Sequence, residues 1–146
     1  WITIAFPIII EVLDLSPDDA LYRLLVQALR AQIEALTKMQ DESGLWHTLL
    51  DDPDSYLETS GSAGFAFGIL KAVHKGYVDA SYEDVANRAI NGVLSQMGDH
   101  GQLANVSVGT ALADNLDYYR NVDITDMPYG QSLSVLALTE ALISYC

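Results

Sequence analysis

The sequence predicts an all-α fold, and within that class part of an (α/α)6 barrel with about two and a half of its helical hairpins present. Three observations carry this. Segments opening near positions 1, 59 and 130 are apolar on nearly every side. The segments between them are amphipathic, and turns with glycine, Gly44-Leu45-Trp46 and Gly101-Gln102-Leu103, precede the second and third apolar segments. Buried and surface helices therefore alternate, with a repeat of roughly 60 to 70 residues. Helices that alternate strictly in this way place the inner set parallel, so their N-termini gather at one mouth. A solenoid of stacked hairpins has a similar helix count, but its turns would be less aromatic and a shorter repeat would be visible.

Trp1 to Ile10 opens the chain, and with Val12 and Leu13 it leaves almost no polar face; it reads as a buried helix that Pro7 would kink. Ser16-Pro17-Asp18-Asp19 then offers an N-cap, a proline at the first helical position and carboxylates in the first turn. The helix it starts carries Leu21, Leu24, Leu25, Ala28, Leu29, Ile33, Leu36 and Met39 on one stripe. Leu45 to Leu50 reads as a short extended piece, closed by the turn Asp51-Asp52-Pro53-Asp54. From Thr59 to about Lys75 the chain is a second buried helix, for which Thr59 or Ser60 would accept the first free backbone N–H groups. Ser81 caps an amphipathic helix whose stripe runs from Tyr82 to Met97, and the last buried helix spans Ser132 to Ile143.

Composition excludes several functions. Seven Lys and Arg face twenty Asp and Glu, a net charge of −13, and no basic cluster exists to follow a phosphate backbone, so no nucleic acid partner is expected. The longest apolar run falls well short of the ~20 residues that cross a bilayer, so no membrane partner is expected either. Cys146, the single cysteine, allows neither an internal disulfide nor a thiolate metal cluster, and the histidines lack ligand spacing; no metal and no cofactor are expected. Asn105-Val106-Ser107 fits a glycosylation acceptor, a pattern common by chance. Trp1 opens directly into an apolar run with no charged leader, as in a piece of a longer protein.

The candidate site is the mouth. Trp46 there would stack on a sugar ring, or else plug the barrel end. His47 could exchange a hydrogen bond or a proton near neutral pH. His74 and His100 read as solvated. Glu58, Thr59 and Ser60 at one helix start, and Tyr129 and Gln131 at another, would ring the mouth with the hydroxyls, carboxylate and amide that polyol recognition uses. Converging helix N-termini would add partial positive charge for an acidic sugar. Arg120 is the cation near these turns and suits a surface role equally well; Asp126 suits a cap better than a substrate contact.

Gly44-Leu45-Trp46-His47 with Tyr56-Leu57-Glu58-Thr59-Ser60-Gly61-Ser62-Ala63, then Gly76-Tyr77, resembles the C-terminal half of the unsaturated rhamnogalacturonyl hydrolases of glycoside hydrolase family 105, the six-hairpin glycosidases. Trp1 is similar to the last residue of that family's Arg-Gly-Asn-x-Trp motif. Where many members carry Asn-Asp-x-His-Gly, this chain has Thr125-Asp126-Met127-Pro128-Tyr129-Gly130. The resemblance implies residues 1–146 as the C-terminal part of one α/α-barrel hydrolase domain. It also implies a partner, a small oligosaccharide ending in an unsaturated uronic acid, whose C4=C5 bond is hydrated with no metal. The Asp that serves as general acid and base would lie upstream, so no catalytic residue is expected here, and Trp1, Trp46, His47, Glu58, Thr59, Ser60 and Tyr129 would bind substrate. A non-catalytic carbohydrate-binding barrel and a helical scaffold are the alternatives. Three helices apolar all round also imply that residues 1 to 146 alone would self-associate and be inactive.

Overall fold

The structure, a computed structural model, describes residues 1–143; Cys146 lies outside the described residues. Its elements in chain order are α1 (Ile2–Val12), α2 (Ala20–Lys38), α3 (Thr59–His74), a 3₁₀ turn (Ala80–Tyr82), α4 (Glu83–Ser95), β1 (Val106–Ser107), α5 (Leu116–Arg120), β2 (Ile124–Thr125) and α6 (Pro128–Ile143). The helices form two layers. In the inner row α3 packs between α1 and α6, while α2 lies on α1, and α4 lies on α3 and α6. Residues from the first turns of α1, α3 and α6 line one cavity. At the opposite end Glu11 of α1, Lys71 and His74 of α3 and Glu140 of α6 form ion pairs. Sharing both ends makes the three inner helices parallel, as the alternation predicts.

The expectation that all three apolar helices are covered on every side holds for α3 alone. Trp1 and Val12 of the first segment, 80% and 76% exposed, and Leu142 of α6, 65% exposed, face outward. The reason is position. α1 and α6 end the row, and nothing in the described chain packs beyond them, whereas α3 has neighbours on three sides.

Pro7 sits within α1 without breaking it, although a break or kink is the usual effect. Having no N–H, it leaves the carbonyl of Thr3 without its helical donor. That carbonyl faces α3 at Gly68, so closely that a Cβ on Gly68 would lie 2.2 Å from the oxygen, while one on Gly64 would lie 2.9 Å from Ile4 Cδ1. Two glycines one turn apart thus let the inner helices touch backbone to side chain and backbone to backbone.

Four boundaries differ from the pattern. Ser81 does not cap α4: it lies in the 3₁₀ turn, where its N–H donates to the Asp79 side chain, and Tyr82 is the residue before α4. Ser16 does not cap α2: its N–H and hydroxyl both donate to Asp19 Oδ2, and Asp19 precedes the first helical residue, Ala20. α6 opens at Pro128 rather than Ser132, the proline standing where its missing N–H is harmless. Glu58, not Thr59 or Ser60, is the N-cap of α3.

The glycine turns repeat in detail. Gly44 and Gly101 both have positive φ, +87° and +78°. The N–H of each returns to the carbonyl three residues earlier, Asp41 and Gly98, whose own N–H groups reach the carbonyls of Leu45 and Gln102. Next come Trp46 and Leu103, each 1% exposed. Each receives help from the fourth residue of the following inner helix: Trp46 N–H donates to Ser62 Oγ (2.9 Å), and Leu103 N–H donates to Gln131 Oε1 (3.0 Å).

The far end of the inner row is ionic. Lys71 Nζ lies 2.8 Å and Lys75 Nζ 2.6 Å from the two oxygens of Glu11, and His74 Nδ1 lies 2.7 Å from Oε1 of Glu140, which is buried. His74 is therefore not the solvated residue expected; His100 is exposed. The hydrogen bonds from Lys71 and Lys75 hold the Glu11 carboxyl below its ordinary value of 4.5.

Two outcomes follow from this packing. Gly68→Ala should lower stability by about 1–3 kcal/mol, because the methyl must displace backbone rather than a side chain; denaturant unfolding of the full-length protein measures it. Glu11, with its folded pKa depressed, contributes stability that is complete above pH 4.5 and is lost as pH falls through the lower folded value. Melting temperature against pH should accordingly fall less steeply below 4.5 in Glu11→Gln than in the parent protein.

Candidate active site

The cavity at the gathered helix starts encloses about 550 Å³. Its walls come from four places: Trp1, Thr3 and Ile4 at the start of the first helix; Trp46, His47, Thr48 and Leu50 before α3; Glu58, Ser60, Gly61, Ser62, Gly64 and Phe65; and Ser107, Gly109 and Thr110 with Tyr119, Tyr129 and Leu133. That volume suits a small ligand, and its mixture of aromatic faces with hydroxyls is the chemistry of a sugar site.

Glu58 organises the wall. Its Oε2 accepts from the N–H of Gly61 in the first turn of α3, and its Oε1 accepts from Ser60 Oγ (2.8 Å) and from the N–H of Ser107 (3.0 Å). Ser107, which the sequence singles out only as the end of a glycosylation pattern, is a second centre. Its hydroxyl shares a hydrogen bond with Tyr56 (2.8 Å), and its carbonyl accepts from the hydroxyl of Tyr129. Burial, with the carboxylate of Glu58 and the Tyr56 phenol nearby, pushes the Tyr129 pKa up and keeps it a donor. Local pattern around Ser107 held no sign of this, since its partners lie about 20 to 50 positions away.

His47 belongs to a two-sided bridge. Its residue pairs antiparallel with Leu57, and the flanking bonds run from Thr48 N–H to Tyr56 O and from Glu58 N–H to Trp46 O, both 2.9 Å. The extended piece expected from Leu45 to Leu50 holds through His47, whereas Thr48 to Leu50 already bend into the following turn. The imidazole Nδ1 is 2.5 Å from the carbonyl of Ser55. A carbonyl only accepts, so Nδ1 carries the hydrogen, and Nε2, 3.7 Å from Asp41 Oδ2, is the other ring nitrogen available for exchange. Hydrogen bonds from Ser43 and the nearby imidazole hold the Asp41 carboxyl low.

The other predicted residues fall differently. Trp46 borders the cavity but is 1% exposed, its Nε1–H donating to Leu36 O (2.9 Å) and its ring edge-on to Phe65 at 5.3 Å. It offers no open face for stacking, and the plug alternative describes it. Thr59 is fully buried, its Oγ1 has no partner, and it does not line the cavity. Gln131 faces the glycine turn rather than the mouth, donating to Gly101 O and accepting from Leu103 N–H. Arg120 pairs with Asp52 and Asp117 on the surface. Asp126 is exposed and accepts from the Thr125 hydroxyl. Trp1, His47, Glu58, Ser60 and Tyr129 come together on the cavity, joined by Thr3, Phe65, Ser107, Thr110 and Tyr119. Among the described residues no group of three His, Cys, Asp or Glu side chains is placed to hold a metal, and no helix is long and apolar enough to cross a membrane.

The sequence profile of Glycosyl Hydrolase Family 88 matches residues 1–145. The chain belongs to that family. It is 38% identical, over 79% of its own length, to the unsaturated rhamnogalacturonyl hydrolase YesR of Bacillus subtilis, and covers 32% of that protein. It superposes with a TM-score of 0.98 and 54% identity on a crystal structure from Salmonella enterica serovar Paratyphi A described as a possible member of the GH105 family. A glycoside hydrolase of family 105 from C. acetobutylicum gives 0.85 at 26% identity. All of this chain matches the Salmonella protein but only 39% of the latter is covered, and across these relatives the chain spans 32% to 43% of their length. The resemblance read from the Gly44 to Tyr77 motifs, and the all-α arrangement as part of an (α/α)6 barrel, agree with these matches.

The buried Trp46 gives a direct test. Trp46→Ala should cost about 3–5 kcal/mol, since it empties a filled core site and removes one of the two hydrogen bonds to the Leu36 carbonyl, the other coming from the Met39 N–H. Thermal unfolding of the full-length variant decides it, and an unchanged melting temperature with weakened substrate binding would restore the stacking role.

Proposed function

We propose that residues 1–146 are the C-terminal portion of one α/α-barrel hydrolase domain. The whole protein removes a terminal unsaturated uronic acid from galacturonyl and rhamnogalacturonan oligosaccharides of pectin. The observation that carries this reading is the sugar-sized cavity at the helix starts, lined by Trp1, His47, Ser60 and Tyr129, in a chain of this family. The names of YesR and of the unsaturated 3S-rhamnoglycuronyl hydrolase of Alteromonas sp., 28% identical to this chain, supply the substrate class.

In the proposed reaction a proton adds to C4 of the enol ether and water supplies hydroxide to C5. The hemiketal so formed opens and releases the neighbouring sugar. A carboxyl group must first give and then take the proton. Glu58 is the carboxylate of the lining, and its two oxygens already accept three hydrogen bonds, which suits a structural role. The general acid and base is then the Asp that the family resemblance implies upstream of Trp1. His47 and Tyr129 hold the sugar's hydroxyls, and Trp1, largely exposed, supplies the flat face that Trp46 does not. The same absence of an unengaged carboxylate from the lining fits a barrel that binds the sugar without cleaving it.

An unsaturated galacturonyl-rhamnose disaccharide given to the full-length protein should lose its ultraviolet C4=C5 absorbance and yield rhamnose. Tight binding by calorimetry with the absorbance intact would support the non-catalytic alternative, and neither signal would remove both. In the active protein His47→Gln should lower kcat/KM at least about tenfold without a large change in melting temperature.

A further inference from the structure

Residues 109–122 leave the sheet after β1 and return before β2. Their base is fixed by the two register pairs Val106 with Thr125 and Ser107 with Ile124, and by the Val108 N–H to Asp123 O bond (2.8 Å). Beyond that base the segment contributes little to the core: Leu112 is 98% exposed, and only Ala113, Tyr119 and Val122 are partly covered. Its own bonds make it a unit. Tyr119 accepts from the N–H of Ala113 (3.1 Å) and stands edge-on to Tyr118, while Asn115 caps α5.

Among the described residues, the polar link from this unit to the rest of the chain is Arg120. Its Nε donates to Asp52 Oδ2 at 2.6 Å, while Nη1 donates to Asp117 Oδ1 at 2.6 Å within the segment. Asp52 is a fixed anchor, because its turn is closed independently by Asp52 N–H to Leu49 O and by Ser55 N–H to Asp52 O. The guanidinium lowers the Asp52 pKa, and the two carboxylates raise that of Arg120, as a formed pair requires. A single exposed ion pair contributes little to global stability, but here it sets where a segment otherwise tied only at its base comes to lie.

That position matters because Gly109, Thr110 and Tyr119 are cavity wall. They are rim rather than floor: Gly109 and Thr110 are exposed, whereas Thr3, Ser60 and Ser62 at the other side are buried. An enzyme acting on the end of an oligosaccharide places the terminal sugar deepest, so the remainder must leave past the rim.

On the reading given under Proposed function, we infer that Arg120 is a positioning residue: clamped to Asp52, it holds Tyr119 and Thr110 where they pack against the sugar next to the unsaturated uronate. It touches no reacting atom. Its effect falls on recognition of the leaving sugar, and so on which oligosaccharides are accepted.

The test compares two substrates in the full-length protein, the unsaturated galacturonyl-rhamnose disaccharide and the methyl glycoside of the same unsaturated uronate. Arg120→Gln and Asp52→Asn should each raise KM for the disaccharide about tenfold more than for the methyl glycoside, with kcat nearly constant, and the double variant should be no worse than either. Arg120→Lys, which keeps the charge facing Asp52, should recover part of the loss. Equal KM changes on both substrates, additive single effects, or no change with the disaccharide would overturn the inference. Amide hydrogen exchange gives a readout independent of activity: Arg120→Gln should speed exchange across 109–122 but not in α3, and unaltered exchange would overturn the clamp. A parent protein that turns over neither substrate would remove the hydrolase reading and the subsite role together, while the exchange result still decides the clamp.

Discussion

The carboxylate of Glu58 holds the site in register. One oxygen closes the first turn of α3 through Gly61, and the other holds the Ser60 hydroxyl and the N–H of Ser107, 49 residues away. An N-cap normally satisfies only its own helix. Here the same group ties the start of the central inner helix to the strand that launches the cavity's far wall. Tyr56 and Tyr129 then reach Ser107 from two sides, so the bridge before α3, the strand β1 and the start of α6 meet at a single residue. Removing the carboxylate would release three donors at once, two of them backbone groups.

The second constraint is the approach of the inner helices. Gly64 and Gly68 bring α3 against α1, and Gly130 brings α6 against β1, where a Cβ would lie 2.5 Å from Val106 Cγ2. Cavity size follows from these distances, because the walls are the helix starts themselves. Pro7 fits the same scheme. In an isolated helix it is a defect, but opposite Gly68 the carbonyl it frees meets α3 backbone instead of a neighbouring turn.

The helix order and the glycine turns were legible because they depend on periodicity and on φ, both local properties. Thr59 and Ser60 were favoured as caps by residue preference, yet Glu58 one position earlier reaches both Gly61 and Ser107 and takes the role. The reading of Trp46 failed for a reason also present in the sequence. In an extended piece adjacent side chains point to opposite faces, so Trp46 and His47 are not expected to open onto one mouth equally. The equivalent turn makes the point again, since Leu103 is as buried as Trp46. Ser107 and the 109–122 wall could not be read, because their meaning lies in contacts across the fold rather than in spacing.

Charge is divided between the two ends of the inner row, and this bears on how an acidic sugar could be held. At the far end Lys71 and Lys75, near the C-terminus of α3, meet Glu11, and His74 meets Glu140. At the cavity end no Lys or Arg among the described residues lines the wall, and the nearby Arg120 is already paired with two carboxylates. The partial positive charge at the start of α3 is matched by Glu58. Under the proposed function, an acidic sugar would be held by hydroxyls and ring faces rather than by a cation of the described residues, and its carboxylate would have to lie away from Glu58, whose two oxygens are already occupied by three donors.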